Sequence, residues 1–146
     1  MCRLSSTPSG KDNRDIMCCM DNHTVRGHET VVSIDGDREA RSLPWNPHPK
    51  FKGVFLRHLV TGRETGGRVS LHHVRIDHGC AIGDHTHAGQ EEIHDVLSGE
   101  GTCTVEGKEI RYVPGIMGIM PADTVHRVEA GLEGLLLLAT FSPPLV

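Results

Sequence analysis

The stretch GCAIGDHTHAGQEEIHDVLSG, Gly79–Gly99, gathers three histidines and two adjacent glutamates between His85 and His94. If His85–His87 is a strand, its side chains alternate, so His85 and His87 project from one face with Cα atoms roughly 6.6 Å apart. Two imidazoles placed this way can share a metal ion. Gly89 lets the chain turn, and Glu92 then starts a return strand that can aim its carboxylate at the same point. Continuing by twos, Glu92, His94 and Val96 face inward while Ile93, Asp95 and Leu97 face outward. His94 therefore comes close to the metal. Three roles are open to it: a hydrogen-bonding partner of the ligands, a catalytic acid or base beside the metal, or a satisfied core histidine.

A second constellation, GIMGIMPADTVHRVE, runs from Gly115 to Glu129. Gly115 opens a strand, Pro121–Asp123 makes a turn, and His126 begins the next strand as the fourth candidate ligand. Three neutral imidazoles and one carboxylate suit a divalent Fe, Mn, Ni, Cu or Zn ion, and a set without cysteine is not a closed structural zinc centre. An octahedral ion so held keeps two positions open for substrate or dioxygen.

Away from these stretches the chain reads as short segments cut by Gly or Pro. The expected strands are Val31–Ile34, Val54–Val60, Val69–Asp77, Glu92–Leu97, Thr102–Val105, Glu109–Val113, Ile116–Met120, Val125–Glu129 and Leu135–Phe141, with Leu43–Pro49 extended by its prolines. Gly107 and Lys108 form a tight hairpin turn. The run Leu135–Leu138 suits a strand covered on both faces. Many short strands with frequent turn signals indicate an all-β sandwich or barrel. Residues 1–28, polar and without sustained periodicity, read as a loosely ordered arm, so the chain is one domain over 29–146 preceded by that arm.

Composition narrows the functional classes. A net charge of -4, with Lys and Arg scattered, gives no footprint for nucleic acid. No apolar run reaches the ~20 residues of a membrane span, and Ile16–Met20 is the only would-be signal core, so a soluble cytoplasmic protein is expected. Five cysteines with no CxxC pair read as free thiols. Eleven histidines are many for 146 residues. Among those outside the candidate ligands, His72, His73 and His78 read as surface or interface residues, with His73 the favourite of the three to line a pocket. Cys103 and Tyr112 read as packing. Arg57 and Arg75 read as solvated charges, with binding of an anionic substrate as the alternative.

Gly79–Gly99 resembles the first motif of the cupin superfamily, G-x5-H-x-H-x4-E-x6-G, with Gly79, His85, His87, Glu92 and Gly99 on its marked positions. Gly115–His126 resembles the second, G-x5-P-x-G-x2-H-x3-N, with Gly115, Pro121 and His126 in place. Asp123 stands where that motif has Gly, a substitution that left-handed turn geometry tolerates, and Ala130 stands where it has Asn. The 15 residues between the motifs make a minimal hairpin, as in compact single-domain bacterial-type cupins. The resemblance implies a small antiparallel β-barrel of the jelly-roll, double-stranded β-helix type. It also implies a single metal ion held by His85, His87, Glu92 and His126, and often a homodimer, for which the outward positions Ile93 and Leu97 offer an apolar face.

Two functional readings follow. One is a mononuclear metalloenzyme acting on a small organic molecule in the barrel, with dioxygenase, isomerase, decarboxylase and lyase chemistry all compatible with the fold. The other is a non-catalytic small-ligand binder or sensor.

Overall fold

The computed structural model describes residues 29–146. The expected N-terminal arm over residues 1–28 lies outside the described residues. Ten strands follow one another: β1 (Thr30–Val31), β2 (Arg38–Glu39), β3 (Asn46–Pro47), β4 (Val54–Val60), β5 (Ser70–Ile76), β6 (Ala81–His85), β7 (Glu91–Val105), β8 (Lys108–Tyr112), β9 (Met117–Met120) and β10 (His126–Ser142). Among the described residues one 3-10 turn, Ala40–Ser42, interrupts them. Every pairing is antiparallel. No helix of the described residues is long and apolar enough to cross a membrane.

The barrel is organised by two long strands that change sheets part way. Segments expected to be separate, Glu92–Leu97 with Thr102–Val105 and Val125–Glu129 with Leu135–Phe141, are continuous as β7 and β10. Glycines bend these strands without ending them. A Cβ at Gly99 would lie 2.1 Å from the Gly134 carbonyl oxygen, and one at Gly101 2.2 Å from that of Glu129, so only glycine lets the backbones meet here. The register jumps at the same place, from Ala130 opposite Gly101 to Leu135 opposite Gly99.

One half of each long strand therefore belongs to a sheet ordered β3-β4-β5-β10-β7-β9, and the other half to a sheet ordered β6-β10-β7-β8. The inward parity of β10 flips across the bend. Val128 and Ala130 are buried before it; Leu135, Leu137, Ala139 and Phe141 are buried after it.

Several expectations are corrected by this register. Leu97 is buried, not outward, because Leu137 pairs with Val96 and Leu136 with Ser98, leaving Leu97 as the extra residue of a β-bulge. Leu135–Leu138 is covered mainly on one face, since Leu136 and Leu138 are only half-buried. The hairpin turn sits one residue earlier than expected, on Glu106 and Gly107 with φ of 48° and 78°, between paired Val105 and Lys108. Those positive angles match the twist of a two-residue hairpin. Val31–Ile34 shrinks to Thr30–Val31, and Val32 and Ile34 are 75% and 103% exposed, having no face to pack against.

His72 and His73 are both 0% exposed rather than at the surface. β5 is an interior strand, and its two faces are covered separately, the inner one by the barrel interior and the outer one at His73 by Trp45 and Glu29. Inside, His72 Nδ1 meets His58 Nδ1 at 2.8 Å, its Nε2 meets Ser70 Oγ at 2.8 Å, and its ring packs on Phe141. Outside, His73 lies under Trp45, with Nε2 2.9 Å from Glu29 Oε2. His78 is exposed, as expected. Arg57 and Arg75 remain part-exposed charges and also stack on rings; their guanidinium carbons sit 4.2 and 5.0 Å from the Trp45 ring centroid, and Arg75 also covers Phe55.

Candidate metal centre

β6 ends at His85, so His87 belongs to the following loop and not to the strand expected over His85–His87. The two rings still converge, with centroids 4.9 Å apart. His126 is the first residue of β10 and the direct cross-strand partner of His85, which brings their centroids to 4.1 Å. Glu92 enters from β7, buried, with Oε2 3.0 Å from His126 Nε2 and 3.2 Å from His87 Nε2. One ligand-capable atom from each of His85, His87, Glu92 and His126 lies within 4.8 Å of the others.

Backbone carbonyls select the nitrogen that faces the centre. His85 Nδ1–H donates to the Gly83 carbonyl at 2.8 Å, and His126 Nδ1–H donates to that of Thr124 at 3.0 Å. Each ring thereby turns Nε2 inward, the tautomer a metal ligand needs. This donor set, imidazole nitrogens and one carboxylate oxygen converging without a cysteine, fits a divalent transition-metal ion.

The carboxylate is itself held from behind. His94 Nε2–H donates to Glu92 Oε1 at 2.7 Å, leaving Oε2 for the centre. With its proton on Nε2, His94 accepts at Nδ1 from the Tyr112 hydroxyl, 3.0 Å away. Tyr112 was expected only to pack; its hydroxyl in fact fixes the His94 tautomer. Gly118 is what makes room for it, being opposite His94 across β7 and β9, where a Cβ would stand 2.0 Å from Tyr112 Oη. Cys103 is fully buried and packs, as expected.

Electrostatics follow from this crowding. Burial alone would raise the Glu92 pKa, but the electrostatic influence of His94 and hydrogen bonds from His126, His87 and His94 hold it well below the ordinary carboxylate value. His126 is raised: burial pushes it down, and the Glu92 and Thr124 hydrogen bonds with the Glu92 charge outweigh that. His85 is lowered, first by burial and further by its histidine neighbours. Burial pushes Tyr112 far up, keeping it a neutral donor.

Asp123, at the position where the second motif has Gly, adopts φ of 64°. Its N–H donates to the His87 carbonyl at 3.0 Å, and its Oδ1 accepts the Gly89 N–H at 3.1 Å. The turn before His126 is thus tied to the loop carrying His87. Ala130, where the motif has Asn, packs in the core, its N–H on the Cys80 carbonyl.

Beside the four residues opens a cavity of about 70 Å³, whose polar lining is His48, His85, His87 and Glu92. His73, Arg57 and Arg75 are absent from that lining; Val74 takes the place expected for His73 because it shares the inner face with His72. Nothing in the sequence pattern singled out His48.

No curated protein matches the chain in sequence. The Cupin domain family matches residues 72–139, a span holding both constellations. Among solved structures, KdgF from Halomonas sp. superimposes with a TM-score of 0.62 at 23% identity, covering 70% of this chain and 90% of that one. A predicted oxalate decarboxylase from Thermotoga maritima gives 0.66 at 22% identity, covering 71% and 96%. The polyketide cyclase RemF from Streptomyces resistomycificus gives 0.62 at 18%, covering 71% and 75%.

Proposed function

The chain belongs to the cupin superfamily, and on that premise we propose that it is a mononuclear metalloenzyme acting on a small organic molecule. His85, His87, Glu92 and His126 would hold one divalent transition-metal ion, and the substrate would occupy the adjoining cavity. The observation that carries this reading is the convergence of those four side chains within 4.8 Å at the cavity wall. When bound, the ion supplies Lewis-acid polarisation of a substrate oxygen or activation of dioxygen.

The protein's own part is positional. The Gly83 and Thr124 carbonyls aim Nε2 of His85 and His126, while His94 and Tyr112 keep Glu92 ionised with Oε2 forward. The rest of the cavity wall is apolar, formed by Leu56, Val74, Ile82, Phe141 and Leu145. His94 is a positioning residue here, since it reaches the centre only through Glu92. Relatives of this fold bear names as different as oxalate decarboxylase and polyketide cyclase, so the reaction class must come from the site and not from the fold.

Two further features belong to this reading. Ile93 on β7 pairs with Ile119 on β9, and Met117 and Ile119 are each 68% exposed, an apolar edge face suited to a second copy of the chain. The free thiols of Cys80 and Cys103 fit a reducing, cytoplasmic setting. Screening small oxygen-bearing molecules with the metal-loaded protein, with and without dioxygen, tests the activity. Turnover lost in His126→Ala supports the reading, and turnover undiminished after chelation overturns it. Oxygen uptake that needs the metal would single out dioxygenase chemistry.

A further inference from the structure

His48 lies in the cavity wall without belonging to the candidate ligand set. Its Nδ1 accepts the backbone N–H groups of Lys50 at 3.1 Å and Phe51 at 3.2 Å. A ring nitrogen that accepts carries no proton, so the neutral imidazole holds its proton on Nε2. Burial lowers the His48 pKa, with the charges of Lys50 and His87 acting the same way, and the ring is neutral near pH 7. Phe51 packs on it at 4.8 Å and stands 6.1 Å from the His85 ring, bracing His48 against the ligand side of the cavity.

Nε2–H has no partner among the described residues. The rest of the lining outside the candidate ligands is Leu56, Val74, Ile82, Phe141 and Leu145, with no Lys or Arg. A substrate carrying charge away from the metal would bury it against these side chains with no cation to meet it.

Resting on the metal-site reading above, we propose that the cavity takes a small molecule that is uncharged apart from its metal-facing group. His48 Nε2–H donates to one of its oxygens, and Leu56, Val74, Ile82 and Phe141 pack its carbon remainder. His48 is then a substrate-contacting residue.

The test uses the full chain loaded with Co(II), whose visible absorption reports binding of two probes that share one chelating head. Butyrohydroxamate ends in a propyl tail; succinic acid monohydroxamate ends in a carboxylate. The parent is expected to bind butyrohydroxamate roughly tenfold or more tightly than the carboxylate-tailed probe. His48→Asn keeps an acceptor for the Lys50 and Phe51 N–H groups in an Asx turn while removing the Nε2–H donor. It should take up Co(II) like the parent and bind butyrohydroxamate roughly tenfold more weakly.

Equal affinities for the two probes, or unchanged affinity in His48→Asn, overturn the proposal and leave the metal site standing. Loss of Co(II) in His48→Asn alone would make His48 a support for the ligands, overturning its contact with substrate. Failure of the parent itself to bind Co(II) overturns the metal reading and this proposal together.

Discussion

Acidifying the metal-stripped protein from about pH 7 to about pH 4.5 should destabilise it through His72, and replacing that residue should remove most of this effect. Burial, and then the nearby His58, lower the His72 pKa from 6.5 to about 4. The unfolded chain keeps the ordinary value, so between those two pH values it takes up a proton that the native state refuses. Stability is therefore present above about 6.5 and is lost as pH falls toward about 4. At about 1.4 kcal/mol per pH unit the whole interval from 6.5 to about 4 corresponds to about 3.5 kcal/mol, of which about 2.5 kcal/mol is reached by about pH 4.5. That is a large share of the ~5–15 kcal/mol that keeps a domain folded.

The assay is urea unfolding, in chelator, of the parent and His72→Gln at both pH values. Gln can still meet Ser70 and His58 by hydrogen bonds but does not titrate. It should cost about 1–2 kcal/mol near neutrality through lost ring packing on Phe141. Its further loss in acid should be smaller than the parent's by about 2.5 kcal/mol, the part of that linkage lying above about pH 4.5. Glu92, whose depressed pKa loses stability as pH falls, and His126, whose raised pKa loses it as pH rises, titrate in both proteins and cancel. Equal losses in acid for the two proteins would refute the reasoning.

Other outcomes follow from the same geometry. Asp123→Gly sheds a left-handed cost of about 1 kcal/mol and loses a hydrogen bond of about 1 kcal/mol, so the melting temperature should hardly move. Metal affinity, read by chelator competition, should nonetheless fall several-fold as the His87 loop loosens; an unchanged affinity would contradict the role given to Asp123. Tyr112→Phe removes the donor to His94 Nδ1 and should weaken metal binding by roughly tenfold or more in the same competition. Bound metal should be lost as pH falls below about 6, because a protonated imidazole cannot be a ligand. Elemental analysis after dialysis near pH 4.5 checks this, and full retention would count against histidine ligation.

Much of the fold and the placement of the four candidate ligands is legible in the sequence because they depend on local geometry. His85 and His87 are two residues apart, Gly89 turns the chain, Glu92 follows, and His126 begins a strand after Pro121–Asp123. What escaped depends on partners far along the chain. The outward reading of Leu97 fails because its bulge is defined by Leu136 and Leu137. His72 and His73 look like surface histidines until Phe141 is seen to pack on the one and Trp45 on the other, contacts made far along the chain or from another strand.

Tyr112 reaches His94 only because Gly118 stands across the sheet, a pairing that needs the β7–β9 register. Asp123 looks like a mere departure from a glycine position, and its bonds to the His87 loop are visible only in three dimensions. His48 comes from a turn outside both constellations and joins the cavity through packing of Phe51.

The central claim is that His85, His87, Glu92 and His126 hold one metal ion between them. Elemental analysis of the purified parent beside His126→Ala tests it most directly. One transition-metal ion per chain in the parent, and almost none in the variant, is the predicted result. A parent without stoichiometric metal, or a His126→Ala protein that binds as well as the parent, would contradict it.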